Sequence, residues 1–215
     1  SRGRAFLEQI PLWVKLVYTA FVVVLVPVYW VNYGPTNFLY FCDVALLLGL
    51  GAVWMENALL GSAAAVGIVL PQMLWVADFG AHLAGFKITG VTDYMFDPGL
   101  PLFLRGLSLF HGWLPFFLLF LLLRLGYDQR GLPAWVGIAW GLMTVSYFFL
   151  PKPGDVLKNP HAPVNINYVF GIGDKTAQTW MPGWAWFALM MAGLPLLFWI
   201  PSHWVFLKWF RQVGG

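Results

Sequence analysis

The sequence is poor in charged residues and in cysteine, and each shortage excludes a class of protein. Only 10% of its 215 residues are Asp, Glu, Lys or Arg, whereas a soluble globular domain carries about 25%. The single cysteine, Cys42, excludes an internal disulfide. The formal net charge is only +3 and basic residues form no run, so we expect no nucleic-acid partner.

Hydrophobic residues make up 60% of the chain, and they are gathered in long runs. A helix needs about 20 mostly apolar residues to cross the hydrocarbon core of a bilayer. Runs of this kind lie at about residues 12–33, 37–55, 59–79, 102–125, 132–150 and 184–207. The first run is too long for a signal peptide and no small-residue cleavage site follows it. The expected fold class is therefore all-α, a polytopic bundle of six transmembrane helices forming a single transmembrane domain over residues 1–215.

Two connections between these runs are long, at residues 80–101 and 151–183, and with six spans both are outer loops, opposite the two termini. Basic residues are more frequent on the terminal face, which by the positive-inside rule predicts cytoplasmic termini. On that face we count Arg2, Arg4, Lys15, Arg124, Arg130, Lys208 and Arg211; on the other, Lys87, Lys152, Lys158 and Lys175, with Arg105 at the membrane boundary.

The fifth run contains the stretch GIAWG, in which Gly137 and Gly141 have the small-xxx-small spacing that lets helices approach closely. Two interpretations remain open at this point. The glycines could serve an ordinary contact inside one bundle, or they could form the face of a homodimer or of a contact with another membrane protein.

Four ionisable side chains, Asp43, Asp78, Arg105 and His111, lie inside the hydrophobic runs. Such a group costs several kcal/mol in a span, so it usually faces a cavity or a partner. At about 1.5 Å per residue, all four fall in the outer half of the bilayer. We therefore predict a polar cavity that opens to the non-cytoplasmic side.

Further polar residues are placed to line this cavity. Cys42 and Asp43 are adjacent and diverge by about 100° around their helix, whereas Ser108 and His111 are three residues apart and share a helix face. Asp97, in the turn sequence Asp-Pro-Gly, could cap the span that follows. The remaining candidates lie in the two long loops and are Asp93, Asn165 and Asn167, with VNINYVFG (164–171) expected to fold over the cavity mouth.

Structural explanations compete with the functional one for each of these residues. Asp43 could pair with Arg105 to hold the bundle, and Asp78 could lie at a hydrated helix end. His111 could make one structural hydrogen bond, Ser108 could bond back to its own helix, and Cys42 could be a small buried hydrophobe.

No motif in the sequence predicts a metal or a phosphate site. GIGDKT lacks the glycine spacing of a phosphate-binding loop, and no paired cysteines or H-E-x-x-H motif indicate zinc. The four histidines are scattered along the chain. A role for His111 as axial ligand of a haem or chlorophyll is chemically open, so the cofactor is unknown.

Several stretches resemble a known family. RGLSLFHG (105–112), which follows Asp97-Pro98, and NINYVFG (165–171) resemble segments of the YwaF-like six-span bacterial membrane proteins. Cys42-Asp43 falls where that family carries a short polar motif. The layout over about residues 35–210 is also similar to the androgen-dependent TFPI-regulating hydrolases of eukaryotes and to a transmembrane acyltransferase of phospholipid metabolism.

The resemblance implies acyl chemistry on membrane lipids, in the bacterial cytoplasmic membrane. The hydrolases use a threonine with a histidine, and the acyltransferase uses a cysteine with a histidine. His111 matches the family histidine and Cys42 the nucleophile position, while no threonine follows Thr36 in the second run. That departure favours the cysteine version over the hydrolase version.

The leading hypothesis is thus a lipid acyl hydrolase or acyltransferase. Cys42 would attack, His111 would act as base, Asp43 or Asp78 would orient the imidazole, and Asn167 or a backbone amide would stabilise the oxyanion. The competing hypothesis is a non-enzymatic accessory or assembly subunit of a larger membrane complex, with its aromatic residues contacting pigment, lipid or a partner. A transporter is disfavoured because the inner half of the spans is nearly devoid of polar residues.

Overall fold

The computed structural model describes residues 10–214, and nearly all of its regular structure is helical. The α-helices are α1 (Leu12–Tyr33), α2 (Phe41–Met55), α3 (Ala58–Leu83), α4 (Leu102–Ser108), α5 (Phe110–Leu125), α6 (Gly131–Phe149), α7 (Gly183–Leu194) and α8 (Ile200–Trp209). Short 3-10 turns lie at Pro35–Leu39, Asp93–Phe96 and Ile166–Tyr168. Two-residue strands, β1 (Tyr127–Asp128) and β2 (Gln212–Val213), pair in parallel.

Five helical stretches are long and apolar enough to cross a membrane. They are Leu12–Tyr33, Ala58–Leu83, Leu102–Leu125, Gly131–Phe149 and Gly183–Trp209, close to five of the six expected runs. The remaining run, 37–55, contains the 15-residue helix α2, which at 1.5 Å per residue is shorter than the roughly 30 Å of bilayer hydrocarbon. Its first residues form the 3-10 turn at Pro35–Leu39 instead, with Tyr40 extended before the helix begins.

The last apolar stretch bends without breaking. Pro195 and Pro201 both lack the N–H that an α-helix needs, and a π-helical turn at Pro195–Trp199 joins α7 to α8. Despite the two prolines, this segment stays helical from Gly183 to Trp209.

Helix α3 is the centre of the bundle and packs against α2, α5 and α6. Most of its apolar window, 61%, is buried, compared with 17% for Gly183–Trp209. Small residues permit this close packing. A Cβ added to Gly61 would lie 3.7 Å from Leu121 of α5 and 3.8 Å from Ala52 of α2, and Gly67 lies against the indole ring of Trp135 in α6.

One end of the bundle, which we call the terminal end, carries residues 10–15, 56, 127–130 and 211–213. Glu56 accepts hydrogen bonds from the Ile10 N–H at 3.2 Å and from Lys15 Nζ at 2.8 Å. Arg130 pairs with Asp128 at 2.7 Å, and its hydrogen bond holds the pKa of that carboxyl below its usual range. Arg2 and Arg4, which were counted for the orientation, lie outside the described residues.

The opposite end, which we call the loop end, carries residues 32–41, 78–105 and 150–182. The contacts that join these segments are direct. Asp78 meets residues 88–92, Asn159 Nδ2 donates to the Asn32 carbonyl at 3.0 Å, and Asn167 meets Leu39 and Phe41. All the polar candidates from the sequence lie at this end or within the adjacent half of the bundle.

Candidate functional site

Asp78 is buried at the end of α3 and holds the first connection in place. Its Oδ1 accepts from the backbone N–H groups of Ile88, Thr89 and Gly90 at 3.1, 2.6 and 3.1 Å. Its Oδ2 accepts from the Thr92 N–H at 3.1 Å and from the Thr92 hydroxyl at 2.7 Å. Asp78 is only 1% exposed, so it is not the hydrated helix end considered above. Its carboxylate is saturated by the loop and has a structural role.

The other charged candidates of the first connection are also engaged locally. Asp93 pairs with Lys87 at 2.9 Å and is half exposed. Asp97 does not cap the helix that follows. It accepts from the Gly99 N–H at 2.8 Å, and α4 begins after Pro101 without a side-chain cap. The Asp-Pro-Gly sequence thus closes a turn on itself.

Arg105 does not pair with Asp43. Its Nη1 donates to the Met95 carbonyl at 3.2 Å, which ties α4 to the first connection. Ion pairs within residues 10–214 involve other acids, namely Glu56, Asp93 and Asp128. The structure therefore does not contain the bundle-holding ion pair that the sequence left open.

The two asparagines of the second connection brace it from inside. Asn165 Nδ2 donates to the carbonyls of Gly171 and Gly173 at 2.9 and 2.8 Å. Asn167 accepts from the Phe41 N–H at 3.0 Å and donates to the Leu39 carbonyl at 2.9 Å. Asn167 thereby satisfies the start of α2, where backbone N–H groups lack helical partners. Because both ends of its amide are occupied, Asn167 is poorly placed to stabilise an oxyanion.

Ser108 joins two helices rather than bonding back to its own. Its hydroxyl lies 2.8 Å from the hydroxyl of Tyr29 in α1, and both residues are buried. Tyr29 was not among the candidates from the sequence, because a tyrosine in a hydrophobic run has no pattern that distinguishes it from core.

His111 has one hydrogen bond, and this bond fixes its tautomer. Nδ1 lies 2.8 Å from the Ser108 carbonyl oxygen. A carbonyl only accepts hydrogen bonds, so Nδ1 carries the proton and Nε2 keeps its lone pair. The ring stacks on Trp75 of α3, with centroids 5.6 Å apart. No other residue of the described chain bonds to Nε2, which leaves this nitrogen the one able to accept a proton.

Cys42 and Asp43 lie in the first turn of α2 and contact each other. The Cys42 thiol donates to Asp43 Oδ2 over 3.7 Å. Asp43 is 3% exposed, and its Oδ1 has no hydrogen-bond partner within residues 10–214. An unpaired buried carboxylate oxygen is costly, so Asp43 Oδ1 is a candidate acceptor for a hydrogen bond from a ligand.

Helix geometry places Cys42 and His111 at a similar level of the bundle. Helices α2 and α5 run in the same direction, from the loop end to the terminal end, and a Cβ on Gly49 would lie 3.9 Å from Leu118 of α5. Cys42 precedes Gly49 by seven residues, as His111 precedes Leu118. Seven residues are close to two helical turns, so Cys42 and His111 lie at about the same level of the bundle. The described chain contains no hydrogen bond between them, since their bonds go to Asp43 and Ser108.

Three tyrosines that were not among the candidates from the sequence lie near Cys42. Tyr40, Tyr94 and Tyr168 come from three different segments, and the Cys42 sulfur is close enough to each phenol to influence it electrostatically. In the connections, burial raises the pKa of the Tyr94 and Tyr168 phenols, and the nearby carboxylate of Asp174 raises it further. No pattern in the sequence indicates this group, because its members lie far apart along the chain and only the fold brings them together.

Two surface depressions lie elsewhere, in the second connection. One, of about 270 Å³, is lined by residues 172–180 and Trp186; the other, of about 230 Å³, is lined by residues 154–164 and Lys175. Neither is lined by Cys42, Asp43 or His111. Within residues 10–214, no group of three His, Cys, Asp or Glu side chains is arranged to hold a metal ion.

Comparison with known proteins adds no relative: no protein-family model, curated protein or solved structure matches this chain.

Proposed function

We propose that this chain is a six-span integral membrane protein of the bacterial cytoplasmic membrane, with both termini in the cytoplasm and the loop end outside. Five helical stretches of sufficient length and hydropathy support the location in a membrane, and the excess of basic residues on the terminal face supports the orientation. In this arrangement α2 is the second span along the chain and is added to the five long ones. The polar turn before it, together with Asn167, completes the crossing. Cys42, Asp43 and His111 then lie in the outer half of the bilayer.

At this level of the bundle the protein acts on the acyl group of a membrane lipid, as hydrolase or acyltransferase. One observation carries the proposal: a thiol hydrogen-bonded to a buried carboxylate lies at the same level as an imidazole whose Nε2 is free to accept a proton. Thiolate formation requires a proton acceptor within reach, and Asp43 is already in contact with the thiol.

The reaction proceeds in two balanced steps. Cys42 Sγ attacks the ester carbonyl, the S–C bond forms and the C–O bond breaks, while the thiol proton passes through Asp43 to the leaving alcohol. A water molecule, or a second alcohol in a transferase, then attacks the thioester. His111 Nε2 takes the proton of this second nucleophile and returns it to the cysteine sulfur, which restores the enzyme.

The test is turnover of ester-linked phospholipids and glycerolipids by purified protein in nanodiscs. Cys42→Ser and His111→Ala should each lower turnover at least a hundredfold, the range that acid–base and nucleophilic groups contribute. Asp97→Asn, which alters only a turn of the first connection, should leave turnover unchanged. Full activity in both Cys42→Ser and His111→Ala would rule out this chemistry.

A second candidate function is an accessory or assembly subunit of a larger membrane complex. It is favoured by the hydrogen bonds of four polar side chains, each of which joins connections or helices of this chain, as expected for a scaffold. These residues are Asp78, Ser108, Asn165 and Asn167. Extraction in mild detergent, followed by sizing and mass spectrometry, separates the two functions. Co-purification with stoichiometric membrane partners, combined with absence of lipid turnover, would support the subunit.

A further inference from the structure

Gln72, in the middle of α3, has a buried amide that the fold does not use. The residue is 5% exposed, and neither Nε2 nor Oε1 has a hydrogen-bond partner within the described residues. Most buried polar side chains in proteins have at least one partner, and leaving such a group unpaired costs about 1–3 kcal/mol. A packed apolar helix would be more stable with leucine at this position.

The direction of Gln72 follows from Gly61, eleven residues earlier on the same helix. Gly61 faces the seam between α2 and α5, since its Cβ position lies 3.8 Å from Ala52 and 3.7 Å from Leu121. Eleven residues are close to three full turns of an α-helix, so Gln72 faces the same seam. We call it the α2–α3–α5 seam.

The level of Gln72 follows from the same contacts. Helix α3 runs antiparallel to both neighbours, so eleven residues forward in α3 correspond to eleven residues back in α2 and α5. From Ala52 and Leu121 this count leads to Phe41 and Phe110, the residues that immediately precede Cys42 and His111. Three helices thus bring a thiol, an imidazole and an unpaired amide to one level.

Trp75 supports this placement independently. It lies three residues after Gln72 and shares its side of α3. Its ring stacks on His111 with an interplanar angle of 24°, and lies 3.5 Å from the Cβ position of Gly112. The side of α3 that carries Gln72 therefore faces the stretch of α5 that contains His111.

We infer that the Gln72 side-chain amide binds the carbonyl oxygen of the acyl group that reaches Cys42, and stabilises the oxyanion formed on attack. This inference rests on the proposed acyl chemistry and names the group that Asn167 does not supply. Gln72 Nε2 donates a hydrogen bond to the carbonyl oxygen as negative charge develops there. Because Gln72 is buried from solvent, that bond strengthens in the transition state.

Three variants test the assignment. Gln72→Leu keeps the side-chain volume and removes both polar atoms, so kcat should fall 10²- to 10³-fold with little change in KM, as for loss of one oxyanion donor. Gln72→Glu lacks the hydrogen-bond donor when it is ionised, so its kcat should fall by a similar factor. Gln72→Asn keeps the amide on a shorter chain and should retain part of the activity.

Thermal stability distinguishes a ligand-binding role of Gln72 from a structural one, because loss of a structural residue lowers the thermal midpoint. Gln72→Leu removes two unpaired buried polar atoms, so its thermal midpoint should stay equal or rise. A matched control is Tyr29→Phe, which removes a hydrogen bond that the fold does use and should lower the midpoint. A lowered midpoint in Gln72→Leu, at unchanged turnover, would overturn the inference.

Ligand binding separates this inference from the function on which it rests. A trifluoromethyl ketone analogue of the lipid forms a tetrahedral adduct with a nucleophile, whereas an ether lipid has no carbonyl. Gln72→Leu should lower the affinity for the ketone at least tenfold and leave the affinity for the ether lipid unchanged. If Cys42→Ser abolishes turnover but Gln72→Leu binds the ketone normally, the role of Gln72 is wrong and the acyl chemistry still stands. If Cys42→Ser remains fully active, the acyl chemistry itself is wrong.

Discussion

At the scale of single residues, the polar side chains of this bundle divide by whether the fold satisfies them. Asp78 accepts five hydrogen bonds and Asn167 accepts one and donates one, all to backbone or side-chain groups of the chain itself. Asp43 Oδ1 and the Gln72 amide have no partner in the described chain. The first kind stabilises the structure, and the second kind is where a ligand would gain hydrogen bonds.

Replacing Asp78 with asparagine should lower the free energy of unfolding by about 2–3 kcal/mol. Asparagine presents an NH₂ group to backbone N–H donors, and hydrogen bonds to a charged acceptor contribute roughly 1.5–3 kcal/mol. Chemical unfolding in detergent micelles measures the change, and faster hydrogen exchange at residues 88–92 would locate it.

The control for this variant is Asp93→Asn in the same connection. Asp93 forms a half-exposed ion pair with Lys87, and exposed pairs contribute at most about 1 kcal/mol. Equal losses in the two variants would show that the buried carboxylate of Asp78 has no special role.

At the scale of helices, α3 organises the bundle through its small residues. Gly61 and Gly67 allow α2, α5 and α6 to approach, and the short side chains Ala63–Ala65 between them are buried. By contrast, a Cβ on Gly137 or Gly141 of α6 would meet nothing within 4 Å in the described chain. Ala139 and Trp140 of the GIAWG stretch do contact the bundle, since Ala139 is buried and Trp140 Nε1 donates to the Met191 carbonyl at 2.9 Å. The two glycines, however, form no helix contact within residues 10–214, and a contact with a second copy or another membrane protein stays the proposal for their face.

Gly67→Ala should destabilise the protein and Gly137→Ala should not. The added methyl group at position 67 overlaps the Trp135 indole, and overpacking of this kind costs about 1–3 kcal/mol. At position 137 the methyl group meets open space and improves helix propensity by up to about 1 kcal/mol. Thermal unfolding of the two variants compares them directly, and a lower midpoint for Gly137→Ala would contradict the placement of α6.

At the scale of the whole molecule, the two ends of the bundle differ in chemistry. The terminal end has short connections, and its described basic residues are Lys15, Arg124, Arg130, Lys208 and Arg211. The loop end carries the two long connections, whose basic residues are Lys87, Lys152, Lys158 and Lys175. Exposed tryptophans occur near both ends, among them Trp13 and Trp209 at one and Trp180 and Trp184 at the other. Tryptophan at both ends of an apolar bundle is typical of residues that lie at membrane interfaces.

Labelling of introduced cysteines in intact cells tests the proposed orientation. In a Cys42→Ser background, Thr176→Cys lies exposed at the loop end and Gln129→Cys lies exposed at the terminal end. A membrane-impermeant maleimide should label Thr176→Cys in intact cells and Gln129→Cys only after permeabilisation. The reverse pattern would place the termini outside and move the proposed site to the cytoplasmic half.

The sequence alone determined the helical class and most helix bounds, because apolar run length and proline position act locally. Leu12–Tyr33 and Leu102–Leu125 coincide with their predicted runs. The sequence also predicted that residues 164–171 would fold over the mouth of a polar cavity. Ile166 and Val169 are buried, so this segment packs against the bundle, while its role as a cavity cover stays a prediction.

Only the tertiary structure decided which polar groups are paired. Tyr29 with Ser108, Asp78 with residues 88–92, and Asn167 with the start of α2 each join positions that no local pattern relates. Gln72 attracted no attention in the sequence because a single amide inside an apolar run has no periodic signature. Whether a buried polar atom is satisfied depends on what neighbouring helices place beside it, and that is settled when the helices pack.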